Sequence, residues 1–170
     1  MKSVAGATAG KTKITVTPAK IVLSNKYKYK IQQNDFSTLP ELDDDLSAWT
    51  DWNGTDEITA TNGYYIAVAE TEADYSCERV GKKQIVSRIQ STITYMDGES
   101  EITGLTPTTY LEGIGATLPT EVTKSGYTFN GWYANAELTG NAVTEIGTSA
   151  TGNKTFYAKF TEVVAEEEQS

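Results

Sequence analysis

The feature that most constrains the fold is the run Gly126-Tyr127-Thr128-Phe129-Asn130-Gly131-Trp132-Tyr133. Large rings recur along it at strand spacing, and glycines stand where the strand begins and where it bends. Side chains alternate across a strand, so such a run sets one group of rings on one sheet face. Gly131 predicts a bulge or a sharp turn, because a side chain there would obstruct the strand. A second aromatic strand is expected over Lys154-Thr155-Phe156-Tyr157-Ala158-Lys159-Phe160. A third covers Thr92-Ile93-Thr94-Tyr95-Met96 and runs into the Asp97-Gly98 turn.

The N-terminal half has a different texture. Lys13-Ile14-Thr15-Val16-Thr17 alternates polar and apolar and stops at Pro18. Lys26-Tyr27-Lys28-Tyr29-Lys30-Ile31 alternates again, with Tyr27, Tyr29 and Ile31 expected inward and the lysines outward, where they discourage edge pairing. Phe36 to Leu46, with Pro40 and the acidic Asp43-Asp44-Asp45, reads as a surface loop. Leu46, Trp49 and Trp52 then bring apolar bulk to a turn. Glu57 to Thr61, followed by Asn62-Gly63 and Tyr64 to Glu70, predicts a hairpin, since Asn-Gly suits the positive dihedrals of a two-residue turn. Gln84 to Ile89 is the last strand expected before the second half.

Two textures in 170 residues favour two small domains over one, at 13–90 and 91–161. Residues 1–12, small and polar, read as a flexible arm. Residues 162–170 carry like charges and read as a solvated acidic tail. Short strands separated by turns suggest a small sandwich or open barrel of immunoglobulin-like size for the first domain, and an immunoglobulin-like β-sandwich is the expectation. The fold class is therefore mainly β.

Composition narrows the function. The net charge of −9 argues against nucleic acid, whose binders gather Lys and Arg on one face. Histidine is absent, which removes the usual general base and imidazole metal ligand. Cys77 is the only cysteine, so it forms no internal disulfide and reads as a buried bystander. No segment has the apolar length of a membrane-spanning helix. No serine or cysteine has a histidine to activate it, and no spacing among the carboxylates singles out a catalytic pair. These readings predict a non-enzymatic protein without catalytic residues or a cofactor.

Three stretches merit a sharper comparison. Ala5-Gly6-Ala7-Thr8-Ala9-Gly10-Lys11-Thr12 nearly spells a phosphate-binding loop, but its glycines are misplaced and a β-alternating run follows where a helix should open. Asp51, Asn53, Asp56 and Glu57 would suit calcium only if six or more oxygens converged; a turn capping its own backbone explains the same letters. Whether Asp51, Asn53 and Asp56 bind an ion stays open at this point. Tyr27, Tyr29, Trp49, Trp52, Tyr64 and Tyr65 form a candidate platform on which sugar rings would stack, with Trp49, Trp52, Tyr64 and Tyr65 as the candidate binding surface. The competing reading makes each an inward residue of a thin core short of leucine.

The C-terminal blocks support a resemblance. Ile93 to Tyr95, Gly115-Ala116-Thr117-Leu118-Pro119, Lys124-Ser125 with the Gly126–Tyr133 run, and Thr155 to Phe160 resemble the Listeria–Bacteroides repeat, the B-repeat module of internalin-like surface proteins. It departs from that pattern at Phe160, where the family usually has tryptophan. The resemblance implies a small β-grasp-like, non-enzymatic module displayed outside cells or on particles. In the first half, Gly10 to Pro18, Tyr27 to Lys30 and Trp49 to Thr61 resemble a β-module of Firmicutes phage head proteins that also occurs in clostridial surface proteins. That resemblance implies a stalk or decoration domain.

Met1 to Gly6 lack the apolar core of a secretory signal, and the other end shows no sorting signal, which favours display on something assembled inside the cell. The expectation is a phage capsid decoration or head-fibre protein on the virion exterior, with the major capsid protein and copies of itself as partners. The alternative is a bacterial cell-surface adhesin fragment or carbohydrate-binding module that meets a glycan or protein.

Overall fold

The computed structural model describes residues 1–163, so residues 164–170 of the expected tail lie outside the described residues. Within them the chain is mainly β, with fourteen strands and no helix. It divides into two compact units that meet in sequence at Ile89 and Gln90.

In the first unit, β1 (Lys2–Ala5), β2 (Lys11–Thr15) and β5 (Ile58–Thr59) form an antiparallel sheet in the order β1-β2-β5. A second antiparallel sheet joins β3 (Lys26–Gln32), β4 (Thr50–Trp52), β6 (Tyr65–Thr71) and β7 (Cys77–Gln84) in the order β4-β3-β6-β7. Ile14 and Ile58 of the one sheet share a cluster with Tyr27, Trp52, Ile66 and Val68 of the other. Here the period-two pattern succeeds, because Tyr27, Ile66 and Val68 lie on one face of their strands. The opposite face of β6 carries Ala67 and Ala69, small enough for a loop to close over them. Leu46 and Trp49 do so and pack with Ala69, Cys77 and Val80.

Several local expectations change in this context. The supposed arm at residues 1–12 is built into the sheet, with Lys2 opposite Thr15 and Ala5 opposite Thr12. Ser3 Oγ lies 2.9 Å from Thr12 Oγ1 and accepts the Val86 N–H at 2.9 Å. Its small residues serve close approach rather than flexibility: a Cβ on Gly6 would meet Lys11 Cβ and the Glu57 carboxylate at 2.7 Å. The Asn62-Gly63 turn joins no hairpin. β5 pairs with β2 while β6 pairs with β3 and β7, so the turn is a corner between sheets. Gly63 has the expected positive φ of 85°, yet turn chemistry specifies a reversal and not which partner each strand finds. The last strand is Cys77–Gln84, ahead of the predicted Gln84 to Ile89. Lys28 points away from the core as expected but is buried, because the loop before β4 covers it. Its ammonium donates to Trp49 O at 2.9 Å, pairs with Asp51 at 3.0 Å and lies 4.7 Å from the Tyr75 ring centroid.

The second unit contains β8 (Gln90–Asp97), β9 (Ser100–Glu101), β10 (Thr109–Leu111), β11 (Ala116–Thr117), β12 (Tyr127–Tyr133), β13 (Glu145–Ile146) and β14 (Lys154–Glu162). The main sheet runs β10-β8-β14-β12, with β9 also on β8, and β11 pairs with β13. β14 is parallel to β8 and antiparallel to β12. The expected irregularity at Gly131 is present as a register shift between Phe129 and Trp132. Both rings pack in one cluster although their odd spacing would set them on opposite faces of a regular strand. The extra residue of the bulge resolves that conflict, and Gly131 adopts a φ of 117° to make it. Tyr127, at the start of the strand, stays substantially exposed.

Candidate functional site

The segment from Val16 to Asn25 connects β2 to β3 without a ladder of its own, so its N–H groups need other acceptors. Glu70 supplies them. Alternation along β6 places Glu70 on the same face as Ile66 and Val68, and its side chain is only 1% exposed. Its carboxylate accepts the Ile21 N–H at 2.8 Å, the Val22 N–H at 3.3 Å and the Asn25 amide at 3.1 Å. Arg79, its cross-strand partner on β7, donates Nε at 2.6 Å. The Arg79 guanidinium also reaches the carbonyls of Pro18 and Ala19, and Lys20 donates to the Asn25 carbonyl at 2.7 Å.

Burial alone would push the Glu70 carboxyl up. Arg79, the two N–H groups and Asn25 outweigh it and hold the group below its ordinary value. A buried carboxylate with this many donors fixes the path of the loop from inside. The consequence appears outside: Ile21, Val22 and Leu23 are 68%, 48% and 95% exposed. Three consecutive apolar side chains thus stand in water on a backbone that is held from below. Sequence reading missed this site, although the inward phase of Glu70 beside Ile66 and Val68 was a signal that it needed a partner.

The four residues of the candidate binding surface divide between the faces of one sheet. Trp52 is buried in the core, 5.6 Å from Tyr27 between ring centroids, and its indole N–H donates to Asp56 O at 2.9 Å. Tyr64 is half-buried against the same cluster. Trp49 packs on the other face with Leu46 and Cys77. Tyr65 is half-buried on β6, opposite Gln32 and Gln84. An open cleft of roughly 760 Å³ does lie beside Tyr27, Tyr29 and Trp52, with Lys20, Lys26 and Asp56 in its lining. Trp49, Tyr64 and Tyr65 do not line it.

The acidic turn near this cleft caps itself. Asn53 Oδ1 accepts the N–H groups of Thr55 and Asp56, each at 2.9 Å. Among the described residues no group of three or more His, Cys, Asp or Glu is placed to hold a metal ion. The near-miss phosphate loop is a turn between β1 and β2, and the Ala7 N–H is taken by both oxygens of Glu57, at 2.9 and 3.0 Å. Cys77 is buried, and burial, followed by the charges of Asp44 and Glu78, pushes its thiol up.

In the second unit a chain of rings leads from the core to the surface. Trp132 is buried 4.7 Å from Tyr95, Phe129 follows at 5.1 Å from Trp132, and Phe160 lies 5.8 Å beyond Phe129. Lys124 closes this row, 4.6 and 4.8 Å above the Tyr127 and Phe160 rings, and pairs with Asp97 at 2.6 Å. Phe160, where the repeat pattern usually has tryptophan, thus retains an aromatic place in the row.

The family of the S-layer protein SbsC C-terminal domain matches residues 4–88, half of the chain. The chain belongs to that family. The Listeria-Bacteroides repeat domain matches residues 92–159, the half in which the aromatic blocks lie. None of the curated proteins matches the chain. Both families are of surface-protein type and fit a cell-surface or display role. Of the two settings joined by the N-terminal resemblance, the matched family favours the bacterial surface; neither family description names a capsid.

Proposed function

We propose that the chain is a non-enzymatic structural part of a bacterial cell surface, displayed outside the cell and acting through adhesive contacts. The observation that carries this reading is the tandem of two surface-type domains, over 4–88 and 92–159, which leaves only a short connection between them. The structure supplies a compatible mechanism. Short strands bury thin cores, while a rigidly held apolar loop and charged faces remain for contact with neighbours. Repetition of such contacts over a surface multiplies weak affinities.

Fractionation of producing cells, with antibody labelling of intact ones, tests the proposal. The expected result is recovery with the envelope and labelling of unbroken cells. Recovery in purified virions at a fixed ratio to the major capsid protein would overturn it in favour of capsid decoration.

A further inference from the structure

Beside Leu23 lies a cleft of roughly 510 Å³ with an apolar wall from Ile14, Val16, Tyr27 and Leu23. Lys13 and Lys20 belong to its lining, and no carboxylate does. On a chain of net charge −9 this is an unusual surface. It is also prepared in advance, because Glu70 and Arg79 hold the loop that carries Leu23. Preorganisation of that kind lowers the ordering cost of a contact.

The same unit presents the opposite charge around an exposed apolar side chain elsewhere. Glu41-Leu42-Asp43-Asp44-Asp45 is exposed throughout, with Leu42 66% exposed among four carboxylates. This loop too is fixed. The Asp43 N–H donates to Cys77 O and the Cys77 N–H to Asp44 O, both at 2.9 Å, and the Glu41 N–H donates to the Asp44 carboxylate at 2.8 Å. Nearby, a hydrogen bond with Glu72, burial, and then the charges of Glu72 and Asp43 hold the Glu78 carboxyl above its ordinary value. Such crowding marks local negative charge that favours a cationic neighbour.

We propose that the cleft beside Leu23 receives the acidic loop Glu41–Asp45 of a second copy of this chain, with Leu42 against the apolar wall and Lys13 and Lys20 facing the carboxylates. An apolar anchor inside a charged rim joins desolvation to steering and register. Each copy offers both a cleft and a loop, so association can extend beyond a pair. The contact deepens the surface reading by naming a partner. A chain that stays monomeric in solution yet labels on intact cells would sink this proposal alone.

Sedimentation velocity on the full chain over a rising concentration series provides the test. The expected average mass climbs above the 18.5 kDa of one chain. Raising salt from about 50 to about 500 mM lowers it. Leu42→Asp and Lys13→Glu, both at exposed positions, each weaken association at least about tenfold. Combining Lys13→Glu with Glu41→Lys restores it, and circular dichroism verifies that every variant is folded. A monomer at all concentrations, association indifferent to both single substitutions, or a double variant no tighter than Lys13→Glu would each overturn the contact.

Discussion

Among the described residues the first unit buries Ser3, Thr12, Asn25, Lys28, Glu70, Thr71 and Ser87, whereas the second buries Ser91 alone of that polar kind. The second unit fills its interior with Tyr95, Tyr110, Trp132 and Phe156, and it ties the polar ends of three rings to backbone carbonyls. Tyr95 donates to Pro107 O at 2.9 Å, Tyr110 to Gly152 O at 2.6 Å and the Trp132 indole to Pro119 O at 2.8 Å. Each ring therefore supplies apolar area and also fastens a loop. The first unit fastens its loops with charge: Glu70 holds the segment before β3, and Lys28 holds the one before β4. The two units solve the same problem, long connections over thin sheets, with a different balance of forces. The balance is not exclusive, for the Trp52 indole also holds Asp56 O in the first and the Glu112 carboxylate accepts the Gly152 N–H at 2.7 Å in the second. They should respond differently to substitution and to acid.

The largest effect is expected in the ring-based unit. Trp132→Ala removes its central side chain and should cost about 3–5 kcal/mol. Thermal unfolding followed by amide NMR would show the second unit losing stability while the first keeps its own. Loss in both units together would mean that their interiors are not energetically separate.

Glu70→Gln comes next. The carboxamide keeps an acceptor but leaves the Arg79 charge without its partner, for a loss of about 3 kcal/mol in the first unit. Acid should reproduce part of this. The Glu70 carboxyl lies below its ordinary value of 4.5, so its stabilisation is complete above that pH and fades as pH falls through the lower folded value. Denaturant titrations between pH 7 and pH 3 would reveal this slope in the wild type and a shallower one in Glu70→Gln. Equal slopes would remove Glu70 as the cause.

The smallest effect has the opposite sign. Thr71 Oγ1 is buried without a hydrogen-bond partner among the described residues. Thr71→Val keeps the shape and deletes the hydroxyl, which should stabilise the first unit by up to about 1 kcal/mol. A lower midpoint in denaturant would show that the hydroxyl has a partner after all.

The aromatic strands were legible because their signal is local. Phe156 and Phe160, four apart on β14, and Phe129 and Trp132, three apart around Gly131 on β12, carry their facing and their bulge in the spacing itself. The candidate site was not legible in the same way. Glu70 looks like the polar end of a strand until Ile21 and Val22, more than forty residues away, are brought to it. Of the six rings of the aromatic platform only Tyr27, Tyr29 and Trp52 came to one cleft, for a related reason, since alternation says that two residues face oppositely but not which face another loop will cover.

Sequence by itself thus determined a mainly β chain, its aromatic strands and the division of texture near residue 90. Tertiary structure alone decided that Lys2–Ala5 joins a sheet, that Asn62-Gly63 turns a corner between sheets, and that Glu70 holds an apolar loop in solvent. Periodicity and turn preference act over a few residues, while strand partners and buried charges depend on which distant groups displace water around them.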